Sequence, residues 1–257
     1  MKYRLVVYGL LAVAMALAWS VERGAYRVDD TTEILIVANP INPLNPVVKN
    51  PYQEEYEKLL YPTVRITAGY STGSGVVISV ERRALSVEGI AILTVAHVVE
   101  NQSIVDIELY DSTNITGTVV ITDTIKDIAL IKAEISTDSK TKIYTAELAP
   151  ENYEAYLFSP VWAIGCSLGL EPRPSQGIIS AINLRTEGLR SSASHIEISA
   201  PILPGNSGGP VFDARTYEVI GIAVWVKVYD GQLVTTMAGI VPIKQIYEFL
   251  NETTNGH

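Results

Sequence analysis

The sequence predicts an all-β protein of two six-stranded β-barrels closed by a C-terminal helix. After Tyr61, short apolar runs rich in Val, Ile and Thr alternate with Gly, Asn, Asp and Ser, a spacing typical of sandwiches and barrels. Near the C-terminus, apolar residues recur at the helical positions 243, 246, 247 and 250. The 257 residues suffice for two small barrels that share a cleft. The predicted strands are 63–68, 75–80, 90–95, 104–110, 117–121 and 127–132, then 161–164, 177–182, 195–199, 210–212, 219–228 and 233–240.

Residues 1–20 have the pattern of an export segment. Lys2 and Arg4 precede an apolar run that extends from Leu5 to Trp19. Ala16 and Ala18 suit a signal peptidase site, while the run is at the lower limit of length for a membrane-spanning helix. The segment is therefore a cleaved signal peptide or a retained membrane anchor, and both predict an extracytoplasmic, secreted or membrane-anchored protein.

The composition changes between residues 21 and 51, where four prolines indicate a stiff linker or pro-segment. Residues 52–60 are predicted to form one short helix. The rest of a domain covering 52–257 then contains the two barrels, at about 61–135 and 156–242.

The charge and the cysteine content exclude several classes of protein. A net charge of -9 without a cluster of Lys and Arg argues against binding to nucleic acid. The single cysteine, Cys166, cannot form an intramolecular disulfide, and no Cys/His grouping has metal-ligand spacing, so neither a metal nor a cofactor is expected. His195 and His257 are predicted to be surface residues.

Three sequons, at Asn101, Asn114 and Asn251, allow glycosylation in a host that performs it.

The segment 204–210, Pro-Gly-Asn-Ser-Gly-Gly-Pro, suits a serine nucleophile. A serine hydroxyl needs an adjacent base, and the reaction needs donors aimed at the developing oxyanion. The glycine at position 205 allows its backbone N–H to turn inward, beside those of Asn206 and Ser207. A Gly-rich turn between two strands is the alternative interpretation of this segment alone.

A candidate base and a candidate acid lie earlier in the chain. His97 ends a strongly apolar strand, and histidine titrates near neutrality, as a general base must. Asp127 opens a buried strand, from which a carboxylate can orient a histidine. Each has a purely structural alternative, as a core histidine and a strand-entry acid. Together with Ser207 they form a His–Asp–Ser series with gaps of 30 and 80 residues, which predicts an active site in the groove between the barrels.

The chain resembles the trypsin-like serine proteases, specifically the HtrA (DegP/DegQ-like) group, over about residues 61–251. The resemblance implies peptide hydrolysis through an acyl-enzyme, with Ser207 attacking, His97 moving the proton, Asp127 orienting His97, and the amides of Gly205 and Ser207 holding the oxyanion. The matching segments are 72–77 (Thr-Gly-Ser-Gly-Val-Val), 94–99 (Thr-Val-Ala-His-Val-Val), 127–130 (Asp-Ile-Ala-Leu) and 205–210 (Gly-Asn-Ser-Gly-Gly-Pro).

The resemblance also implies a polypeptide substrate and a substrate pocket. The position six before the nucleophile, acidic in relatives that cleave after Lys or Arg, is proline here, so small or medium apolar residues are expected before the cleaved bond. HtrA proteins usually carry PDZ domains after the protease, and none is expected here. The family often forms oligomers, so both a monomer and an oligomer are alternatives for this chain. The loop 166–174 matches the group loosely and is expected near the active site. The presumed pocket residues are Pro201, Ile202, Leu203, Ile222, Ala223 and Val224.

Three other functions are alternatives, one of them a structural or adhesive exported domain. A catalytically silent or latent trypsin-fold module would bind peptides or act as a chaperone. A narrow processing enzyme would mature a single partner rather than degrade many proteins.

Overall fold

The computed structural model describes residues 50–84, 87–136, 139–184 and 194–255. The predicted export segment, residues 1–20, and all but the end of the predicted linker lie outside the described residues.

The first barrel is a closed antiparallel sheet of six strands. Its order is β1-β2-β3-β6-β5-β4, and β4 pairs with β1 to complete the ring. A closed ring leaves no free strand edge, so backbone donors and acceptors are paired around the whole sheet. The strands are β1 Thr63–Ala68, β2 Ser71–Ala84, β3 Val87–Thr94, β4 Ile104–Glu108, β5 Asn114–Asp123 and β6 Ile128–Ser136.

The second barrel repeats this arrangement. Its order is β10-β11-β12-β9-β8-β7, closed by pairing of β7 with β10. The prediction of two six-stranded barrels is confirmed. The strands are β7 Pro160–Gly165, β8 Arg173–Leu184, β9 His195–Ile198, β10 Pro210–Asp213, β11 Val219–Tyr229 and β12 Gln232–Pro242.

Helices flank the barrels at both ends of the described chain. A short helical turn, α1 (Gln53–Glu55), continues as a π-helical segment, Tyr56–Leu60, directly before β1. The C-terminal helix, α2 (Ile243–Asn255), packs against β11 and β12. Its buried face includes Phe249, which the predicted apolar stripe omits and which is buried more completely than position 247 or 250. Within the described part of the chain, no helix combines the length and apolarity needed to cross a membrane.

Each barrel is filled by apolar side chains of its strands. Ile66, Ile92 and Ile131 are fully buried in the first barrel, and Ile198 and Phe212 in the second. Burial of one such side chain stabilises the fold by roughly 1.5–3 kcal/mol. These cores hold rigid the strand ends from which the candidate site is built.

Candidate active site

His97 and Asp127 meet because their strands are neighbours. His97 lies on the turn Ala96–Val98 directly after β3, and Asp127 directly precedes β6. These strands pair in antiparallel register, with Thr94 opposite Ala129, so the end of one adjoins the start of the other. His97 Nδ1 lies 2.7 Å from Asp127 Oδ2, and the His97 backbone N–H donates to Asp127 Oδ1 at 2.9 Å. Both carboxylate oxygens therefore bind the same histidine.

This arrangement determines how His97 can act. A carboxylate can only accept from the Nδ1 of a neutral imidazole, so Nδ1 carries the proton and Nε2 is left as the acceptor. The backbone of Asp127 lies in the left-handed region, with a φ of 56°, which is unusual for any residue other than glycine. Sequence reasoning identified the residue but had no signal for this conformation.

Ser207 lies in the turn that leads into β10 of the second barrel. Its side chain is almost completely buried, and its backbone carbonyl accepts from the Ser74 N–H of β2 at 2.8 Å. That bond joins the turn of residues 204–209, called the nucleophile turn after its candidate nucleophile Ser207, to the barrel that carries His97. Ser207 Oγ and His97 Nε2 are both buried, and among the described residues neither has a hydrogen-bond partner. These are the two atoms that nucleophile and base chemistry requires.

Three consecutive peptide groups around Gly205 have their carbonyls held. The Pro204 carbonyl accepts from the Leu168 N–H at 2.7 Å, the Gly205 carbonyl from Ser74 Oγ at 2.7 Å, and the Asn206 carbonyl from the Gly209 N–H at 2.9 Å. These peptides are trans, so each C=O and the following N–H point in opposite directions. The held carbonyls thereby set the directions of the amides that follow them.

The three predicted oxyanion donors are not equivalent. The amides of Gly205 and Ser207 have no acceptor among the described residues. The Asn206 amide instead donates to the Leu203 carbonyl at 3.0 Å, which closes the turn. The prediction is corrected at Asn206: its N–H is engaged within the turn and is not free to bind a substrate oxygen.

Glycine is required at position 205 by space and by conformation. Its φ is 98°, and a Cβ there would lie 2.3 Å from the Cys166 carbonyl oxygen. The nucleophile turn therefore packs directly against the loop that follows β7.

That loop, residues 166–170, buttresses the turn from one side. The Cys166 N–H donates to Ser74 Oγ at 2.8 Å, and Ser167 Oγ donates to Asn206 Oδ1 at 2.5 Å. Arg65 of β1 forms an ion pair with Glu108 and donates to the Gly169 carbonyl at 2.7 Å. Burial raises the pKa of the Cys166 thiol to about 12, so it stays protonated and unreactive near neutral pH. The loop is thus adjacent to the site, as the sequence indicated.

The presumed pocket residues fall into two groups. Ile202 and Ile222 are fully buried in the core of the second barrel, whereas Pro201 is exposed and Leu203 half-buried. The backbone of Ala223 pairs with the nucleophile turn: its carbonyl accepts from the Gly208 N–H at 2.8 Å. The side chains of Ala223 and of Val224 beside it are largely buried. None of the six presumed pocket residues is charged.

His195 is the main residue that sequence reasoning misinterpreted. It was predicted at the surface, but the first residue of β9 has 0% exposure, because its ring packs edge-on against Trp225 with the ring centroids 6.3 Å apart. Neither ring nitrogen has a partner among the described residues. Burial lowers the pKa of His195, and Asp127 opposes that shift more weakly. A histidine that opens an apolar strand was the only available signal for its burial.

The two closed six-stranded barrels have the trypsin-like fold. The family model described as "Trypsin-like peptidase domain" matches residues 73–222, and the chain belongs to that family. The enzyme class predicted from the sequence, a serine endopeptidase, is confirmed at the level of the family.

Within the family, the chain is HtrA-like. It is 33% identical over 172 residues to Putative protease Do-like 14 of Arabidopsis thaliana, covering 62% of this chain and 36% of that protein. It is 29% identical over 209 residues to Serine protease Do-like HtrA of Bacillus subtilis strain 168, covering 77% and 44%. It is 36% identical over 152 residues to the Probable periplasmic serine endoprotease DegP-like of Halomonas elongata, covering 59% and 29%. The chain thus spans less than half the length of these relatives.

A solved structure has the same fold. The HtrA-type protease AlgW with tripeptide superposes with a TM-score of 0.66 and 24% sequence identity, covering 79% of this chain and 63% of that one.

Proposed function

We propose that this chain cleaves polypeptides as a serine endopeptidase, with Ser207 as nucleophile, His97 as base and Asp127 as its orienter. One observation carries the proposal. His97 is held by Asp127 at Nδ1 and at its backbone N–H, while His97 Nε2 and Ser207 Oγ are both buried and neither has a hydrogen-bond partner among the described residues. Two amides of set direction, Gly205 and Ser207, belong to the same turn.

The chemistry follows from these groups. Ser207 Oγ attacks the substrate carbonyl carbon while its proton passes to His97 Nε2, and Asp127 stabilises the resulting imidazolium. The substrate oxygen becomes negative and is stabilised by the amides of Gly205 and Ser207. The C–N bond then breaks as His97 returns the proton to the leaving amine. Water, deprotonated by His97, finally hydrolyses the acyl-enzyme and releases Ser207.

The proposed setting is extracytoplasmic protein quality control or processing. Residues 1–20 have the pattern of an export segment, and the Halomonas elongata relative is named as periplasmic. Casein cleavage by the full chain would favour quality control. Failure to cleave casein, combined with a reactive Ser207, would favour a narrow processing role.

A fluorophosphonate tests the nucleophile and the base together. The reagent is incubated with the full chain and with Ser207→Ala, His97→Ala and Ser180→Ala variants, and adducts are counted by intact mass. We expect one adduct on the wild type and on Ser180→Ala, whose serine is exposed and donates to the Glu197 carboxylate, and none on the other two. An adduct that persists in Ser207→Ala would contradict the proposed nucleophile. A folded wild type without any adduct would favour the silent or latent peptide-binding module.

We further propose a preference for small or medium apolar residues before the cleaved bond. The six presumed pocket residues are uncharged, and an arginine side chain would lose hydration there without gaining an ion partner. Peptides with Val or Ala at that position should have kcat/KM values at least about tenfold above the Arg peptide. A preference for Arg in the same peptide series would contradict this pocket.

A further inference from the structure

We propose that Ser74 is a positioning residue of this site, locking the nucleophile turn in the geometry that its two free amides need. The inference rests on the proposed function. Ser74 belongs to the segment 72–77 by which the chain resembles its family, but it is not one of the groups that react with substrate.

Four hydrogen bonds converge on this one residue of β2, which has 0% exposure. Its Oγ donates to the Gly205 carbonyl at 2.7 Å and accepts from the Cys166 N–H at 2.8 Å. Its N–H donates to the Ser207 carbonyl at 2.8 Å, and its carbonyl accepts from Thr94 Oγ1 at 2.7 Å. The hydroxyl uses its single proton toward the nucleophile turn and a lone pair toward the loop after β7.

The bond to the Gly205 carbonyl controls the peptide between the two free amides. That carbonyl belongs to the peptide joining Gly205 to Asn206, and the amides of Gly205 and Ser207 lie on either side of it. Rotation of this central peptide changes the dihedral angles next to both amides. Because Gly205 is glycine, its backbone resists rotation only weakly and depends on an external partner. Ser74 is that partner.

Ser74 also links this turn to the base. Thr94, the donor to its carbonyl, is the last residue of β3 and precedes His97 by three positions. A Cβ at Gly208, the residue after the nucleophile, would lie 2.2 Å from both the Ser74 carbonyl oxygen and Thr94 Oγ1. The end of β3, which leads to His97, is therefore in direct contact with Ser74, and both contact the nucleophile turn of the other barrel.

Removal of the hydroxyl should lower turnover more than substrate affinity. Ser74→Ala leaves the Gly205 carbonyl and the Cys166 N–H without partners, and the turn can relax. Displacement of a donor group by about 1 Å costs up to about a hundredfold in rate. We expect kcat to fall about ten- to a hundredfold while KM changes less than about threefold, because the ground-state contacts of the substrate remain.

The control is a buried hydroxyl in the same barrel. Thr63 Oγ1 donates to the Leu59 carbonyl at 3.0 Å, and neither residue is hydrogen-bonded to the nucleophile turn. Thr63→Val should lower the melting temperature but leave kcat unchanged. Thr94→Val, which removes the donor to the Ser74 carbonyl with little change of volume, should lower kcat about three- to tenfold.

The experiment measures kcat, KM, fluorophosphonate labelling rate and melting temperature on the full chain in all four proteins. If the wild type turns over substrate and Ser74→Ala has the same kcat, the positioning role of Ser74 is overturned and the proposed function is not affected. If Ser74→Ala does not fold, an unchanged kcat in Thr94→Val would overturn it instead. Absence of both turnover and labelling in the wild type would overturn the proposed function, and this inference with it.

Discussion

At the scale of single residues, Asp127 combines the proposed role of orienting His97 with an unusual backbone conformation. Its carboxylate accepts from the His97 ring and backbone, and its φ is 56°. Asn adopts the left-handed region more readily than most residues because its short polar side chain bonds locally. A change from Asp to Asn therefore preserves the fold and tests the chemistry alone.

Asp127→Asn should reduce kcat by roughly four orders of magnitude, as found when a triad carboxylate is replaced in this class of enzyme. An amide nitrogen facing Nδ1 favours the tautomer that carries its proton on Nε2, so the base is lost. The measurement is kcat on a peptide substrate, with far-UV circular dichroism to monitor folding. Asp230→Asn is the matched control, since Asp230 also has a positive φ, 50°, but lies in an exposed turn. Near-normal kcat in Asp127→Asn would remove Asp127 from the proposed triad.

At the scale of elements, a polar corner ties the connection between the barrels to the end of β10. Asp213 is 1% exposed and accepts from Tyr153 Oη at 2.9 Å and from Arg215 Nη2 at 2.6 Å. Burial by itself would raise the pKa of Asp213, but the hydrogen bonds from Arg215 and Tyr153 outweigh it and hold the pKa below its usual value. The pKa of Asp213 is therefore lower in the folded protein than in the unfolded chain, where it is near 3.9. Its stabilisation is present above that pH and is lost as the pH falls through the folded pKa.

Tyr153→Phe should lower the free energy of unfolding at pH 7 by about 1.5–3 kcal/mol, because it removes a hydrogen bond to a buried charged group. The loss should shrink as the pH falls through the lowered pKa of the folded Asp213 carboxyl, because the protonated group no longer carries a charge. Urea denaturation at pH 7 and at a series of lower pH values measures it. Tyr156→Phe, at an exposed tyrosine of the same connection, should stay within about 0.5 kcal/mol of wild type. Equal losses in the two variants would show that Asp213 does not anchor this connection.

At the scale of the whole molecule, His195 makes global stability depend on pH. Burial lowers its pKa in the folded state, with Asp127 acting in the opposite direction, while the unfolded chain binds a proton near pH 6.5. The unfolded state therefore binds more protons below that pH. Stability must fall as the pH drops from about 6.5 toward the folded pKa.

His195→Phe should remove this dependence, because a ring of similar size still packs on Trp225 but does not titrate. The free energies of unfolding of wild type and variant should diverge as the pH falls from 7.5 to 5, by at most about 1.4 kcal/mol per pH unit. All other residues are the same in both proteins, so their contributions to the pH dependence cancel in the difference. Parallel stability curves across this range would contradict the assignment of His195 as a buried neutral residue.

The sequence by itself determined the number of strands, their approximate positions along the chain and the candidate catalytic residues. Apolar runs and turn residues are local signals, and the segments around His97, Asp127 and Ser207 are short motifs readable without a fold. Only the tertiary structure decided what surrounds them: the burial of His195, the engagement of the Asn206 amide, and the bond from Ser74 to Gly205 across 131 residues of chain. Local periodicity carries no information about which residue of one barrel meets which turn of the other. That pairing exists only once both barrels have closed and their strand ends lie side by side.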